Sequence, residues 1–322
     1  MKSNESKKNA NRGKSLQEIR AVKGKALLNG KTRVKQKENI WLSIIYTAAI
    51  ALVMRSSLVE AFTIPTGSMK NTVLVGDYPF VNKTSYFLQT PKYFPFTSIE
   101  IPHLHIKTGN IERGDVIVFE YPGDRDLIEP REKKVNYIKR CVGLPGDTIK
   151  VVNQQLYVNG KALTNPPDML LYDRPLEQNV IESQLFPQGA KWNIDWYGPI
   201  RIPKSGDVIH LTPENFAQWR VFIEREKHTA EFDATGAIKI DGKIADTYTV
   251  ERDYLWMMGD NREQSEDSRT WGFMPVENVV GKALIVYWSR YNPPSQGHGD
   301  GYDPDEIQET HIRWNRIGNL VN

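Results

Sequence analysis

The chain has 322 residues, 39% of them hydrophobic and 25% charged, with a formal net charge of +3. That apolar content supplies a sizeable core and excludes a disordered protein, while the length allows one large or two modest domains. So small a net charge gives no reason to expect nucleic acid as a partner, and a single cysteine, Cys141, excludes an intramolecular disulfide, so it reads as a small buried hydrophobe.

Residues 1–39 hold the charge asymmetry. From Met1 to Glu38 twelve Lys/Arg stand against three Glu, with few large apolar residues and no helical or strand period, which reads as a solvated basic arm. The arm runs into Ile40 to Met54, IWLSIIYTAAIALVM, fifteen residues without a charge, then Arg55 and SSLVEAF. Fifteen residues are short for a span, but Arg55 can snorkel along its alkyl stem and the apolar pattern resumes through Leu58, Val59 and Phe62. Dense positive charge directly upstream favours a membrane helix over 40–61 rather than a buried helix of a soluble domain, which the length alone allows. A cleaved leader fits less well, because the basic region is long and no Ala-x-Ala-like site follows promptly. The charge asymmetry then puts residues 1–39 in the cytoplasm and everything after about residue 60 on the far side.

Past residue 62 come short β-rich runs punctuated by Gly, Pro and Asp, among them DVIVFEYP, DTIKVVNQQLYVNGKAL, AIKIDGKI and ALIVYWS. Alternation of Thr148, Lys150 and Val152 with Ile149 and Val151 predicts a strand with one wet face, and Asn159-Gly160 is a type I′ hairpin signal. The expected fold is mainly antiparallel β. Residues 165–245 read as an inserted second lobe, with three tryptophans and a short helix at PENFAQWRVFIERE. RGDVIVF at 113–119 and SGDVIHL at 205–211 echo one another, too little for a repeat. YFLQTPKYFPF at 86–96 suits either a lipid headgroup layer or a hairpin packed on the core. Asn292 to Glu309 reads as a polar loop.

The informative stretch for chemistry is FTIPTGSMKNTVLVGD, Phe62 to Asp77. Ser68 stands beside Gly67 and after Pro65, on a backbone able to turn sharply and to aim main-chain N–H groups at an oxyanion, although a serine beside a glycine is by itself an ordinary turn signal. None of the six histidines (His103, His105, His210, His228, His298, His311) has a setting typical of a catalytic triad, and His103 and His105 read as surface residues rather than half a metal site. A lysine serves as base only where burial or a neighbouring cation lowers its pKa. Lys139, in the apolar context VNYIKRCVGLPGD, is the best candidate, against the bland reading of an ordinary edge-strand lysine. GDNREQSEDSR, 259–269, lacks the glycine and glutamate spacing of a calcium loop, and its interleaved Arg262 and Arg269 favour ion pairing.

Five blocks in order resemble the bacterial type I signal peptidase family: MRSSLVEAF; IPTGSM with VGD; RGDVIVFEYP; NYIKRCVGLPGDTI; and MGDNREQSEDSRTWGFMPVENVVGKA, with IRWNRIG like the family's terminal strand. The resemblance covers about a third of the chain and omits 165–245. It implies a mainly β, antiparallel catalytic domain behind one N-terminal transmembrane helix, Ser68 as nucleophile and Lys139 as general base. It implies an oxyanion hole of the Ser68 N–H and the Thr66 hydroxyl, where the family usually has Ser at 66. Ser265 would orient the lysine, Asp267 and Arg269 would brace its turn, and Ile64, Met69, Val118, Tyr137 and Ile138 would line pockets for the small residues of an Ala-x-Ala cut. The family's proline after Ser-Met-x is replaced here by Asn71, which puts the rigidity of that loop in doubt.

On this reading the chain divides into a basic arm (1–39), an anchor (40–61), a catalytic core in two parts (62–164 and 246–291), the inserted lobe (165–245) and a C-terminal loop and strand (292–322). The implied setting is the bacterial cytoplasmic membrane, single-pass, with the catalytic domain outside; the partners are signal-peptide-bearing preproteins, the bilayer and the nearby export machinery, with no cofactor, no metal and a monomeric state expected. Two rivals remain. A soluble self-cleaving repressor-type protease conflicts with the apolar run and lacks a helix-turn-helix signal; a membrane-tethered scaffold has no evident need to keep Ser68, Thr66, Lys139, Ser265, Asp267 and Arg269 together.

Overall fold

The computed structural model describes residues 40–47, 58–89, 105–127, 135–171, 174–291 and 310–322. The chain falls into two units, Met1–Ser56 and Ser57–Asn322. In the first, residues 40–47 are helical with exposed side chains, and the Thr47 hydroxyl satisfies itself by donating to the Ser43 carbonyl at 2.8 Å. No described helix is long and apolar enough to cross a membrane. The basic arm and residues 48–57 of the expected anchor lie outside the described residues. The end of that expected anchor is a strand: Val59–Ala61 pairs with Asp77–Asn82, and Glu60 meets Lys83 at 3.1 Å, because a charge every few residues suits an exposed edge.

The second unit is mainly β, as expected, and its registered strand pairs are antiparallel. The main sheet runs Val59–Ala61, Asp77–Asn82, Val279–Tyr291, Val116–Glu120, Asn136–Gly143, Tyr254–Met258 and Met274–Pro275, with His311–Ile312 added beside Val279–Tyr291. Two of its strands read in sequence as apolar runs because both faces are covered: every residue of Tyr254–Met258 is buried, as are Val116 to Phe119. The strand Asn136–Gly143 reaches all three apolar clusters, through Ile138, Cys141 and Val142. Each such side chain contributes roughly 1.5–3 kcal/mol on burial, so the position of this strand is fixed from several sides.

Four turns share one geometry. In Leu74–Asp77, Glu112–Asp115, Leu144–Asp147 and Lys204–Asp207 the aspartate N–H donates to the first residue's carbonyl, and the aspartate carboxylate accepts from that residue's N–H at 2.8–3.1 Å. The third residue is a glycine with φ of +83° to +104°, a conformation that glycine adopts without a Cβ clash. Each turn launches a strand. The echo between RGDVIVF and SGDVIHL is therefore this turn followed by a strand. Asn159-Gly160 forms the expected hairpin turn, with φ of +52° and +77°.

Residues 165–245 contain the helix Pro213–Arg225, started by Pro213 and by a reciprocal cap in which Thr212 and Asn215 each bond the other's backbone N–H. It buries Phe216, Val221, Phe222 and Ile223. The cluster that receives most of them also contains Val142, Trp256 and Met258 from the main sheet, so the segment shares a core with that sheet. Tyr86 and Phe87 are buried in the sheet's second cluster, and Phe87–Gln89 pairs with His105–Lys107; residues 90–104, His103 included, and the expected loop at 292–309 lie outside the described residues.

Candidate active site

The loop between Val59–Ala61 and Asp77–Asn82 carries Ser68. Its ends are clamped together, Ile64 N–H donating to the Asp77 carbonyl at 3.1 Å and Gly76 N–H to the Ile64 carbonyl at 3.0 Å. Between them the chain makes a compact turn, with Lys70 N–H bonded to the Gly67 carbonyl at 3.0 Å and Val73 N–H to the Met69 carbonyl at 2.9 Å. In the turn next to Ser68 the left-handed residue is Asn71, at φ +77°, and not Gly67. Asn71 Nδ2 reaches the Asp168 carbonyl at 3.4 Å, tying the loop to the segment after the hairpin. Met69 and Val73 are fully enclosed and anchor the loop in the third apolar cluster.

Lys139 sits in the middle of the strand Asn136–Gly143, opposite Ile117. Its Nζ donates to Ser68 Oγ at 2.7 Å and to the Ile138 carbonyl at 3.2 Å. Ser68 is 6% and Lys139 3% exposed, so this bond is shielded from water. Burial pulls the lysine down from 10.5 to about 8, against the opposing pull of the Asp267, Glu266 and Asp260 carboxylates. The Tyr137 ring covers the amine, with its centroid 5.2 Å from Nζ. Thr66 Oγ1 is 3.5 Å from Ser68 Oγ.

A polar turn after Tyr254–Met258 packs on the nucleophile loop. Asn261 N–H donates to the Ser68 carbonyl at 3.0 Å and its Nδ2 to the Gly67 carbonyl at 3.1 Å. Asp260, fully buried, accepts from Thr72 Oγ1 at 2.5 Å and takes both Arg140 Nε and Nη2, at 2.8 and 2.7 Å. Arg140, on the face of the strand opposite Lys139, thus joins that strand to the loop carrying Ser68. Arg269 binds Asp267 through Nε and Nη2 at 2.9 and 2.8 Å, both residues being buried, and Asp267 also caps the short helix Ser268–Trp271 and accepts from Gly259 N–H at 3.1 Å. Ser265 Oγ is enclosed here without a hydrogen-bond partner, and it is not among the partners of Lys139 Nζ. It rests against Gly259: a methyl group there would stand 2.1 Å from Ser265 Oγ and 2.6 Å from the Ser68 carbonyl oxygen. The contacts of Gly259, Asp260 and Asn261 with the nucleophile loop are not legible in the sequence beyond a Gly-Asp-Asn run placed directly after an apolar strand, and strand alternation puts Arg140 opposite Lys139 without naming Asp260 as its partner.

A cleft of about 390 Å³ opens at Ser68 and Lys139. Ile64, Val118, Tyr137 and Ile138 line it together with Thr66, Gln264 and Glu266. Met69 does not line it, being wholly enclosed and accepting from Asp260 N–H through its sulfur at 3.4 Å. Among the described residues no group of His, Cys, Asp or Glu side chains is arranged to hold a metal ion.

Comparison with known proteins bears on this constellation. The model of a family described as signal peptidase, peptidase S26, matches residues 37–288. Signal peptidase I of Pseudomonas aeruginosa is 33% identical over 258 residues, 76% of this chain and 70% of the relative. Signal peptidase I of Buchnera aphidicola is 32% identical over 280 residues, 83% of this chain and 77% of the relative. A crystal structure of a signal peptidase I from Enterococcus faecalis, 21% identical, covers 54% of this chain and 96% of its own, at a TM-score of 0.25, too low to carry an argument. The matched residues include Ser68, Lys139 and the whole of the polar turn 259–269, and the chain belongs to the signal peptidase family, peptidase S26, as a serine endopeptidase.

Proposed function

We propose that this protein removes N-terminal signal peptides from exported precursors with a Ser68–Lys139 dyad, cutting after small residues of the Ala-x-Ala kind while tethered to the bacterial cytoplasmic membrane by the apolar segment that begins at Ile40. The observation that carries the reading is the buried 2.7 Å hydrogen bond between Lys139 Nζ and Ser68 Oγ. An amine held near a pKa of about 8 is partly neutral close to physiological pH and has a lone pair to offer. Ser68 Oγ attacks the scissile carbonyl carbon as Lys139 takes the hydroxyl proton. The oxyanion is received by the Ser68 N–H and the Thr66 hydroxyl. Lys139 then returns the proton to the leaving nitrogen of the mature chain; water attacks the acyl carbon, giving its proton to Lys139 Nζ, which passes it to Ser68 Oγ as the bond to the signal peptide breaks. Asp267 and Arg269 hold the turn behind the lysine, and Ser265, packed on Gly259, fixes the spacing between that turn and Ser68. Ile64, Val118, Tyr137 and Ile138 give the cleft walls suited to small apolar side chains, with Met69 supporting them from beneath.

The test is cleavage of a signal-bearing precursor by the detergent-solubilised full chain, with Ser68→Ala and Lys139→Met compared across pH. Both variants are expected to lose at least about a thousandfold in kcat/KM, and the wild-type rate to rise through about pH 8 as the lysine deprotonates. Cleavage that survives Lys139→Met would assign the base elsewhere.

A further inference from the structure

Glu266 stands between two enclosed groups, the Ser265 hydroxyl and the Asp267 carboxylate, yet is itself exposed and lines the cleft. Among the described residues its side-chain partners are the hydroxyls of Tyr121 and Tyr137, each at 3.5 Å, the outer limit of a hydrogen bond. The Tyr121 proton is already directed at Asp124 Oδ1, 2.6 Å away, so that hydroxyl has no second proton for Glu266. The carboxylate therefore keeps most of its acceptor capacity. Its field reaches into the cleft, because it is one of the charges that oppose the effect of burial on Lys139. Apart from Lys139, bonded to Ser68 in the depth of the cleft, the walls around it are apolar or uncharged, among them Ile64, Val118, Ile138, Tyr137 and Gln264.

We propose that Glu266 is a specificity-determining residue of this protease, its carboxylate favouring precursors with Lys or Arg, and disfavouring those with Asp or Glu, at the substrate position that passes beside Tyr137. The inference rests on the proposed dyad and names a substrate feature which the apolar walls alone do not select. A cation entering there meets an anion that, among the described residues, has no ion pair and no hydrogen bond shorter than 3.5 Å, and a carboxylate meets repulsion. An exposed pair contributes up to about fivefold in either direction, so a Lys-for-Glu exchange at the right position changes kcat/KM on the order of tenfold.

The experiment uses the full chain in detergent and a peptide spanning an Ala-x-Ala cut, with one Lys or one Glu placed in turn at each position on either side of the scissile bond. The ratio of kcat/KM for the Lys and Glu peptides is read for wild type, Glu266→Gln and Glu266→Lys, at low and high salt. The expected result is a wild-type ratio well above one at one position, near one in Glu266→Gln, below one in Glu266→Lys, and shrinking with salt. Support by contact with the tyrosines alone cannot invert a charge preference. A flat wild-type profile, or a preference that persists in both variants, overturns the inference while leaving the dyad in place, since cleavage of the uncharged parent peptide and its loss in Ser68→Ala report on the dyad separately. Failure of the wild type to cleave the uncharged parent overturns both.

Discussion

Lys139 is held in place at the expense of stability. Below about pH 8 the native and unfolded chains both carry the ammonium, and the native state bears the full penalty of enclosing it. From about 8 up to 10.5 the native lysine has lost its proton while the unfolded one keeps it, so this group makes the protein more stable as pH rises through that window. The gap corresponds to about 3 kcal/mol. Lys139→Met is thus expected to be inactive yet more stable at pH 7, by up to about 3 kcal/mol, read from urea unfolding. A less stable variant would mean that the amine is well solvated in its cleft. Ser68 and Lys139, the proposed dyad, were legible through motifs of known order, since a serine beside a glycine and a lysine in a strand are each ordinary on their own. Gly259 was not, because its reason is a close approach between Ser265 and the Ser68 carbonyl, which no local pattern records.

The nucleophile loop is the element whose character the sequence left most open, and the structure gives Asn71 a specific part in it. Proline has φ fixed near −65°, whereas Asn71 is at +77°, a region that asparagine tolerates. The family's proline is thus incompatible with the conformation of this loop, and rigidity comes instead from the Asp260 contacts to Thr72 and Arg140 and from Asp77, which accepts from Ser289, Arg316 and Leu74 N–H. Asn71→Pro is expected to destabilise the protein by more than about 1 kcal/mol and to reduce cleavage, while Asn71→Gly changes stability by less than that. Urea midpoints decide it; a proline variant as stable as wild type would show that the loop readily takes the other conformation. The strands and the Asn-Gly hairpin announced themselves through alternation and turn residues, and a short helix was legible at PENFAQWRVFIERE, although its Thr212 cap was not read from the sequence. The segment 165–245 stayed opaque otherwise, because its core is made by rings distant in sequence, such as Phe222 against Tyr254 at 4.7 Å and Trp219 stacked on Phe273 at 6.2 Å.

At the scale of the molecule, the mainly β class followed from composition and punctuation, but strand order did not. Val279–Tyr291 lies between Asp77–Asn82 and Val116–Glu120, which come far earlier in the chain, and such pairings are set by global packing. The proposed anchor makes its own prediction: in a bacterial host the full chain remains with the membrane fraction through an alkaline carbonate wash, and release into the supernatant would remove the anchor from the proposal.

The Tyr137 ring over Lys139 acquires a meaning once the reaction is viewed as a sequence in time. A neutral amine gains little from an aromatic face, while an ammonium is drawn to it. Under the proposed chemistry the amine of the active form is neutral when the precursor arrives and becomes positive while a tetrahedral species exists. The ring therefore stabilises the charge for that interval and does not hold the enzyme in its protonated, idle form as firmly as another carboxylate would.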